Sequence, residues 1–241
     1  MIGLSYGNFQ AVAQDAPPSF SFGNALQFDG VDDYVNISDS SAISLTEITF
    51  NAWLNLEDWG ASGQEFISRF SGSATNGHFK IGNSSTRLLQ PYFPTSSGAV
   101  AYLLYDASAL TGWHMITVTF RQSELYLYID GVVVASSLAD TGTFLSTGVD
   151  FRIGARLNDT FYLNGIMDEV ALWDTILTSE KISNLYNNGN GNLADANVTP
   201  LVWFRMNESG TATTAVNSGS SGATYDGTLT NFPTSGMWVA H

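Results

Sequence analysis

Two short stretches decide the expected fold of this chain: residues 25–35, with the sequence ALQFDGVDDYV, and residues 165–173, with the sequence GIMDEVALW. Each has the mixed apolar and polar pattern of a short, partly buried β-strand. Each also carries acidic residues at its start or at a glycine-containing turn. The two stretches therefore predict strands whose acidic turns are candidates for binding a cation.

The charge balance limits the kinds of partner that the chain can have. Its 241 residues include 8 Lys and Arg against 22 Asp and Glu, a formal net charge of −14. Nucleic-acid binding depends on cations that neutralise phosphates, so we predict no nucleic-acid partner. The same charge repels anionic membrane surfaces and favours cations. The alternative is that the acids only keep a charge-poor surface in solution.

Cysteine is absent, and no run of 18 apolar residues occurs. Disulfides and thiolate metal sites are therefore excluded, and we predict no membrane insertion. The first 20 residues lack the basic and apolar regions of a secretory leader, although residues 11–13 (AVA) resemble a cleavage motif. We predict an extracellular or virion-surface location, reached either after removal of a leader or by lytic release on a bacteriophage.

Alternating patterns predict an all-β fold. Residues 48–56 and 114–121 alternate clearly, and residues 125–129 alternate again before Asp130 and Gly131, a pair that favours a type I′ hairpin. Weaker strands are expected at residues 65–70, 79–81, 88–93 and 99–104. One short helix is predicted after the N-cap residue Thr178, ending at Asn188 and Gly189. A single helix among many strands favours a sandwich of two antiparallel sheets.

Four motifs occur in an order that resembles the laminin-G-like, concanavalin A-like jelly-roll family. They are the opening strand at residues 25–35, a tryptophan strand at 50–54, a central hairpin at 113–131, and a closing strand and helix from 165 to 182. The resemblance covers residues 24–190 and implies a jelly-roll sandwich. One departure is Lys181, which stands where the family usually has an acid that completes a capping box.

The resemblance also suggests how the chain is organised. We predict an N-terminal arm (1–23), a laminin-G-like jelly roll (24–196) and a C-terminal segment (197–241). That last segment resembles sequence that normally precedes the opening strand of the family. It could complete a circularly permuted sandwich, begin a partial second repeat, or add a strand to a neighbouring subunit.

Calcium is the cofactor that the resemblance implies, with Asp29 and Asp168 as ligands and Gly30 and Asp32 as further candidates. Calcium prefers six to eight oxygen ligands from carboxylates and carbonyls, and Asp33 is a weaker candidate. The alternative is that Asp29 and Gly30 only form a turn and that Asp168 only ends a strand. The acid spacing does not match an EF-hand.

Catalysis is not expected. Glycoside hydrolysis needs two carboxylates that flank the scissile bond, and the Glu-x-Asp-x-x-Glu spacing of the glucanases in this fold class is missing. Strand alternation places Asp168 and Glu169 on opposite faces, so they are not predicted to act as a pair. His114 lies on a predicted strand, where packing is the simpler role.

The remaining expectation is recognition or adhesion, with a glycan or another cell-surface ligand as partner. Candidate ligand-binding residues are those of loops and strand ends: Trp59, Tyr92, Phe93, Arg156, Asn158, Asp159 and Tyr162. The alternative for each aromatic residue is core packing. The alternative function is that of a structural virion decoration or fibre protein without glycan affinity, and a homo-oligomer or contacts with virion proteins are possible partners in either case.

Overall fold

A computed structural model of the protein describes residues 23–38, 46–61, 63–69, 80–85, 88–138, 150–187 and 197–240. The predicted N-terminal arm lies outside these residues except for Gly23. The described strands are β1 (Asn24–Asp29), β2 (Tyr34–Ile37), β3 (Ile48–Leu56), β4 (Gln64–Ser68), β5 (Lys80–Ser85), β6 (Leu88–Pro94), β7 (Val100–Tyr102), β8 (Tyr105–Asp106), β9 (Trp113–Arg121), β10 (Glu124–Ile129), β11 (Val132–Ser137), β12 (Phe151–Ile153), β13 (Asn164–Trp173), β14 (Val202–Phe204), β15 (Thr214–Ala215), β16 (Gly227–Thr230) and β17 (Trp238–Ala240).

These strands form two antiparallel sheets. The first sheet has the order β11-β10-β9-β3-β13-β1-β17, with β14 also paired to β13. The second sheet has the order β15-β16-β2-β12-β4-β5-β6-β7, with β8 also paired to β6. One apolar core, which includes Phe28, Phe50, Phe66 and Phe120, lies between them. The prediction of an all-β jelly-roll sandwich is confirmed.

The hairpin predicted at Asp130 and Gly131 joins β10 to β11. Both residues have positive φ, 53° and 78°, as a type I′ turn requires. A side chain at Gly131 would contact Tyr186 and Ser183 of the helix. The turn therefore needs glycine for its backbone conformation and for its close approach to the helix.

A single α-helix, α1 (Ser179–Tyr186), lies among the described residues. Its start is as predicted, because the Thr178 hydroxyl accepts a hydrogen bond of 3.3 Å from the Lys181 amide. It ends at Asn187 in the left-handed conformation, one residue before the predicted stop, which lies outside the described residues. Ile182 and Leu185 pack into a second apolar cluster with Trp53 and other side chains on the outer side of the first sheet. No helix in the described part of the chain is long and apolar enough to cross a membrane.

The C-terminal residues pair with strands of their own chain. β14 pairs with β13 beside the start of β1, and β17 pairs with the other edge of β1. β16 pairs with β2 in the second sheet. The Asn24 amide donates to Asn207 Oδ1 at 3.3 Å and so links the start of β1 to the chain that follows β14. The segment thus adds strands to both sheets of the sandwich.

Candidate functional site

One row of side chains crosses the outer face of the second sheet. Cross-strand partners in register run from β16 to β7 and contribute one residue from each of seven strands. We call these residues the cross-strand row: Thr228, Asn36, Arg152, Ser68, Lys80, Tyr92 and Tyr102. At about 4.8 Å between neighbouring strands, the row is long enough to contact an extended ligand.

The row faces away from the core because strand residues alternate between the two faces of a sheet. Its chain neighbours Ile37, Ile153, Ile67, Ile81 and Phe93 are all buried in the core between the sheets. The row therefore places polar and aromatic groups together on the side of the sheet away from the core. Ser68 and Lys80 at its centre are buried, whereas Thr228 and Tyr102 at its ends are exposed. Sequence patterns missed it because the register between strands that are distant in the chain is not a local property.

Glu65 ties two cations to this face. Its Oε1 atom accepts a hydrogen bond of 2.7 Å from Arg156 Nε, and Lys80 Nζ lies 3.8 Å away. Burial lowers the pKa of Lys80, and the attraction of Glu65 opposes that change. Lys80 Nζ also lies 5.4 Å from the centre of the Tyr92 ring. Since Glu65 is buried, this ion pair is an internal part of the face.

Arg152 is held from two sides. Its guanidinium lies 4.0 Å above the Tyr34 ring, a cation–π contact. Its Nη1 atom donates to the Arg156 carbonyl at 3.0 Å and to Asp159 Oδ1 at 2.6 Å. The Arg152 side chain is 12% exposed, whereas that of Asp159 is 65% exposed. The cation is therefore fixed by the fold, and its carboxylate partner faces solvent.

Four of the predicted ligand-binding residues lie at or beside this face. Tyr92 belongs to the row, and Arg156, Asn158 and Tyr162 lie in the connection between β12 and β13 that also supplies Asp159. Asn158 Oδ1 accepts a hydrogen bond of 2.6 Å from the Thr160 hydroxyl.

Trp59 does not lie on the face, and the structure corrects its predicted role. The residue is 2% exposed, and its Nε1 atom donates to the Gly112 carbonyl at 3.3 Å. Its ring packs edge-on against His114, with centroids 5.4 Å apart. Phe93 is likewise buried and stacks on Phe120 at 4.5 Å. Both aromatic residues are packing residues, which was the alternative for each.

An acidic group lies in the turn between β1 and β2. Carboxylate oxygens of Asp29, Asp32 and Asp33 lie within 4.8 Å of one another. Asp29 Oδ1 accepts from the Val31 amide at 2.8 Å, and Asp33 Oδ2 accepts from the Asp29 amide at 3.0 Å. Gly30, with φ 78°, allows this turn to pack against Asn164. Local hydrogen bonds therefore gather three carboxylates at one point.

These residues fit a hard divalent cation. Burial raises the pKa of Asp33 to about 6, and repulsion from Asp29 and Asp32 adds to the rise. Asp33 Oδ1 is buried and has no hydrogen-bond partner in the described part of the chain. Calcium prefers such carboxylate oxygens, and a cation would relieve both the repulsion and the unpaired oxygen.

Asp168 does not join this group, contrary to the arrangement that the family resemblance implied. In the pairing of β1 with β13, Asp29 lies opposite Asn164, four residues before Asp168. At about 3.3 Å per residue, that offset separates the two backbones by roughly 13 Å. Asp168 is also buried, whereas Asp29 is exposed. The two distant motifs meet in neighbouring strands, but their carboxylates do not share a site.

A β-bulge in β13 makes a second prediction wrong, namely that Asp168 and Glu169 lie on opposite faces of the strand. The register with β3 shifts between Asp168 and Ala171, and Glu169 has a φ of 49°. Asp168 pairs with Trp53, and Glu169 accepts a 2.6 Å hydrogen bond from Trp203 Nε1. Trp53 and Trp203 both belong to the outer cluster under the helix. The bulge therefore places both carboxyls on that side, where simple alternation predicts opposite faces.

The acidic group and the cross-strand row are neighbours. Burial raises the pKa of Tyr162, and Asp159 and Asp32 raise it further, whereas Arg152 lowers it. Asp33 directly precedes Tyr34, and the Tyr34 ring lies 4.0 Å from the Arg152 guanidinium, so the acidic turn adjoins the cation of the row. The candidate site consists of the row, the connection between β12 and β13, and this turn.

A sequence profile described as the concanavalin A-like lectin/glucanase superfamily matches residues 29–183, more than half of the chain. The chain belongs to this superfamily. The matched residues end before the C-terminal strands β14 to β17, so those strands lie outside the matched part of the family. A comparison with curated proteins gave no match.

Several solved structures resemble this superfamily member. A candidate carbohydrate-binding protein of Bacteroides ovatus is 18% identical with a TM-score of 0.60, over 88% of this chain and 59% of that protein. A heptameric SAP-like pentraxin of Limulus polyphemus is 14% identical with a TM-score of 0.53, over 73% of this chain and 89% of the pentraxin.

The third is domain 4 of AbnA, a GH43 extracellular arabinanase of Geobacillus stearothermophilus, in complex with arabinotriose. It is 17% identical with a TM-score of 0.50, over 67% of this chain and 76% of that domain. The chain spans 59% of the length of the Bacteroides protein. At identities this low, the likenesses establish the fold alone.

Proposed function

We propose that this protein is a non-catalytic carbohydrate-binding module whose ligand lies along the cross-strand row. The observation behind this proposal is that Arg152, Lys80, Tyr92 and Tyr102 lie in register on the side of the second sheet away from the core, with Tyr102 exposed at one end. Ligand sites combine aromatic or apolar surface with a few well-placed polar groups. The Bacteroides protein and the arabinanase domain, the latter in complex with arabinotriose, share the fold and support this choice of ligand.

The carboxyl groups of the face support binding rather than hydrolysis. Glu65 and Asp159 are paired with Arg156 and Arg152, and an ion-paired carboxylate is a poor proton donor. The other carboxyl group of the site with a raised pKa, Asp33, is 1% exposed and so is out of reach of a surface ligand. A glycosidase needs one carboxyl group that is protonated and another that is ionised on either side of the bond. We therefore propose that the face holds a saccharide without cleaving it, in an extracellular setting.

Replacing one aromatic residue of the row tests its role. Tyr92→Ala removes a ring from the face, so we expect affinity for the tightest ligand in a panel of immobilised glycans to fall about tenfold, equivalent to about 1.4 kcal/mol. Tyr126→Ala on the first sheet is the matched control and leaves affinity unchanged. Equal effects of the two variants would contradict the location of the site. A parent protein that binds no glycan in the panel would contradict the function.

We also propose that calcium binds to Asp29, Asp32 and Asp33. Bound there, the ion supplies positive charge that stabilises the turn between β1 and β2 beside the row. The cluster of carboxylate oxygens within 4.8 Å supports this assignment. Gly30 remains a candidate through its carbonyl group. Asp168 is not included, because the strand register holds it away from Asp29.

Thermal unfolding with calcium and with a chelator tests the ion. A ligand at one hundred times its dissociation constant adds about 2.7 kcal/mol of stability, so chelation should lower the melting temperature. Asp29→Asn should abolish that response. Asp58→Asn is the control, because Asp58 Oδ1 accepts from the Gly60 amide at 2.7 Å in a similar turn outside the group. A parent protein whose melting temperature is the same with and without chelator has no such site.

Display on a bacteriophage virion and self-association stay predictions from the sequence. The pentraxin of Limulus polyphemus is heptameric. Sedimentation of the purified protein would determine whether this chain also associates.

A further inference from the structure

The cross-strand row gathers several of the few cations of an acidic protein. The chain has 8 Lys and Arg and a formal charge of −14. Three of these eight cations, Lys80, Arg152 and Arg156, lie at this face and form ion pairs with Glu65 and Asp159. A further acid, Asp150, accepts a hydrogen bond of 3.1 Å from Asn36 of the row. The Debye length is about 8 Å at physiological ionic strength. A ligand in contact with the face therefore responds mainly to these charges and to those of the neighbouring acidic turn, which the calcium ion proposed above would offset.

The two ion pairs of the face differ in how easily a ligand could replace them. Glu65 and Arg156 have side chains that are 3% and 12% exposed. Removing a buried partner leaves an uncompensated charge at high cost, so this pair stays closed. In the other pair only the acid faces solvent, because Asp159 is 65% exposed and Arg152 is 12% exposed. The Asp159 carboxylate can therefore leave the pair for water, provided that another carboxylate takes its place on the guanidinium.

The Arg152 guanidinium would stay in position if the Asp159 carboxylate were replaced by that of a ligand. Arg152 is fixed by the Tyr34 ring and by the Arg156 carbonyl, and neither contact involves Asp159. Its Nε atom has no hydrogen-bond partner within the described ranges. A guanidinium matches the planar geometry of a carboxylate. The position that Asp159 now occupies is thus suited to the carboxylate of another molecule.

We propose that the cross-strand row binds an acidic oligosaccharide, a uronate whose carboxylate replaces that of Asp159 on Arg152. This inference depends on the proposed carbohydrate-binding function and names the class of its ligand. Tyr92 lies three strands from Arg152 in the row, a distance of roughly 14 Å. A ligand that contacts both residues is therefore an oligosaccharide. Asp159 acts as an internal competitor for the same cation.

The test compares one oligosaccharide in two charge states. Trigalacturonate and its methyl ester share the same sugar rings, but the ester has lost the negative charges. Calorimetric titration of the intact protein should give at least tenfold tighter binding of the acid, with a preference that weakens as salt is added. Arg152→Gln should abolish that preference. Arg121→Gln, which removes one charge from an exposed pair on the first sheet, should preserve it.

Asp159→Asn provides a second, independent arm, because an exposed loop residue can be changed without disturbing the core. It should raise affinity for the acid severalfold and leave affinity for the ester unchanged. Equal binding of acid and ester, or an unchanged preference in Asp159→Asn, would overturn the inference.

The binding results distinguish failure of the acidic-ligand proposal from failure of the carbohydrate-binding proposal. Binding of a neutral glycan from the panel, without binding of trigalacturonate, would overturn the acidic ligand and leave the carbohydrate-binding function intact. Absence of binding to every glycan would overturn both.

Discussion

The carboxyl group of Asp168 shows how one buried residue can make the stability of the protein depend on pH. Burial raises its pKa to about 9, and repulsion from Glu169 adds to the rise. In the unfolded chain an aspartate loses its proton near pH 3.9. Between these two values the folded protein holds a proton that the unfolded chain lacks. Stability from this group is therefore complete in acid and is lost as pH rises toward 9.

Asp168→Asn should remove this dependence. The amide has no proton to lose, and its oxygen can still accept the hydrogen bond of 2.7 Å that the Glu169 amide donates to Asp168 Oδ1. The variant should gain stability relative to the parent as pH rises, with a slope of up to about 1.4 kcal/mol per pH unit. Urea unfolding at pH 5 and pH 8 measures the change. The exposed Asp174→Asn is the control, and parallel curves for Asp168→Asn and the parent would contradict the account.

At the scale of single elements, the hairpin between β10 and β11 depends on its contact with α1. Gly131 and Gly98 both have a φ of 78°. A side chain at Gly131 would meet Tyr186 Cβ at 3.1 Å and Ser183 Cα at 3.2 Å, whereas one at Gly98 would meet nothing within 4 Å. An alanine at either position would strain the backbone, but only an alanine at Gly131 would also collide with the helix. Comparing the stability of the two variants therefore distinguishes the cost of backbone strain from the cost of steric contact.

Gly98→Ala should cost about 1–2 kcal/mol, the penalty for an alanine in the left-handed region. Gly131→Ala should cost more, because the helix must also move away from the turn. Chemical denaturation of the two variants measures the difference. Equal losses would mean that the contact between hairpin and helix contributes nothing to stability.

Local chemistry explains which elements the sequence could predict. Asp130 and Gly131 specify their turn through backbone preference alone, and Thr178 specifies the start of α1 through one hydrogen bond. The bulge at Asp168 and Glu169 has no such local pattern, because it appears only when β13 is paired with β3. Trp59 was misassigned for the same reason, since its burial depends on Gly112 and His114 from a distant part of the chain.

The candidate site was predictable only in part. Asp29 and Asp32 could be recognised from the family motif, and Tyr92, Arg156, Asn158 and Tyr162 from residue type. Arg152, Lys80 and Tyr102 were missed, because their alignment is a property of strand register across the second sheet. The alternation of each strand in the sequence indicates which residues point outward, but not which strands are neighbours.

At the scale of the whole molecule, the C-terminal strands hold the two sheets together. Phe204 of β14, Ala215 of β15 and Trp238 of β17 are all buried in the core. A segment outside the family match thus supplies core residues to both sheets. Its strands pair with β13, β2 and β1 of the same chain, so the segment is part of the sandwich.

Phe204→Ala should therefore cost about 3–5 kcal/mol, the range for a buried phenylalanine. Val216→Ala in the same segment is the control, because Val216 is exposed, and it should change stability by less than about 0.5 kcal/mol. Removing all residues after 196 should abolish cooperative unfolding. A truncated protein with an unchanged melting temperature would show that the segment does not contribute to the fold.

The measurement that tests the central claim most directly is hydrogen–deuterium exchange with and without the tightest glycan from the panel. If the ligand lies along the cross-strand row, amide protection should increase in β2, β12, β4, β5 and β6 and in the connection between β12 and β13. Protection confined to β9, β10 and β11 would place the ligand on the first sheet and contradict the account.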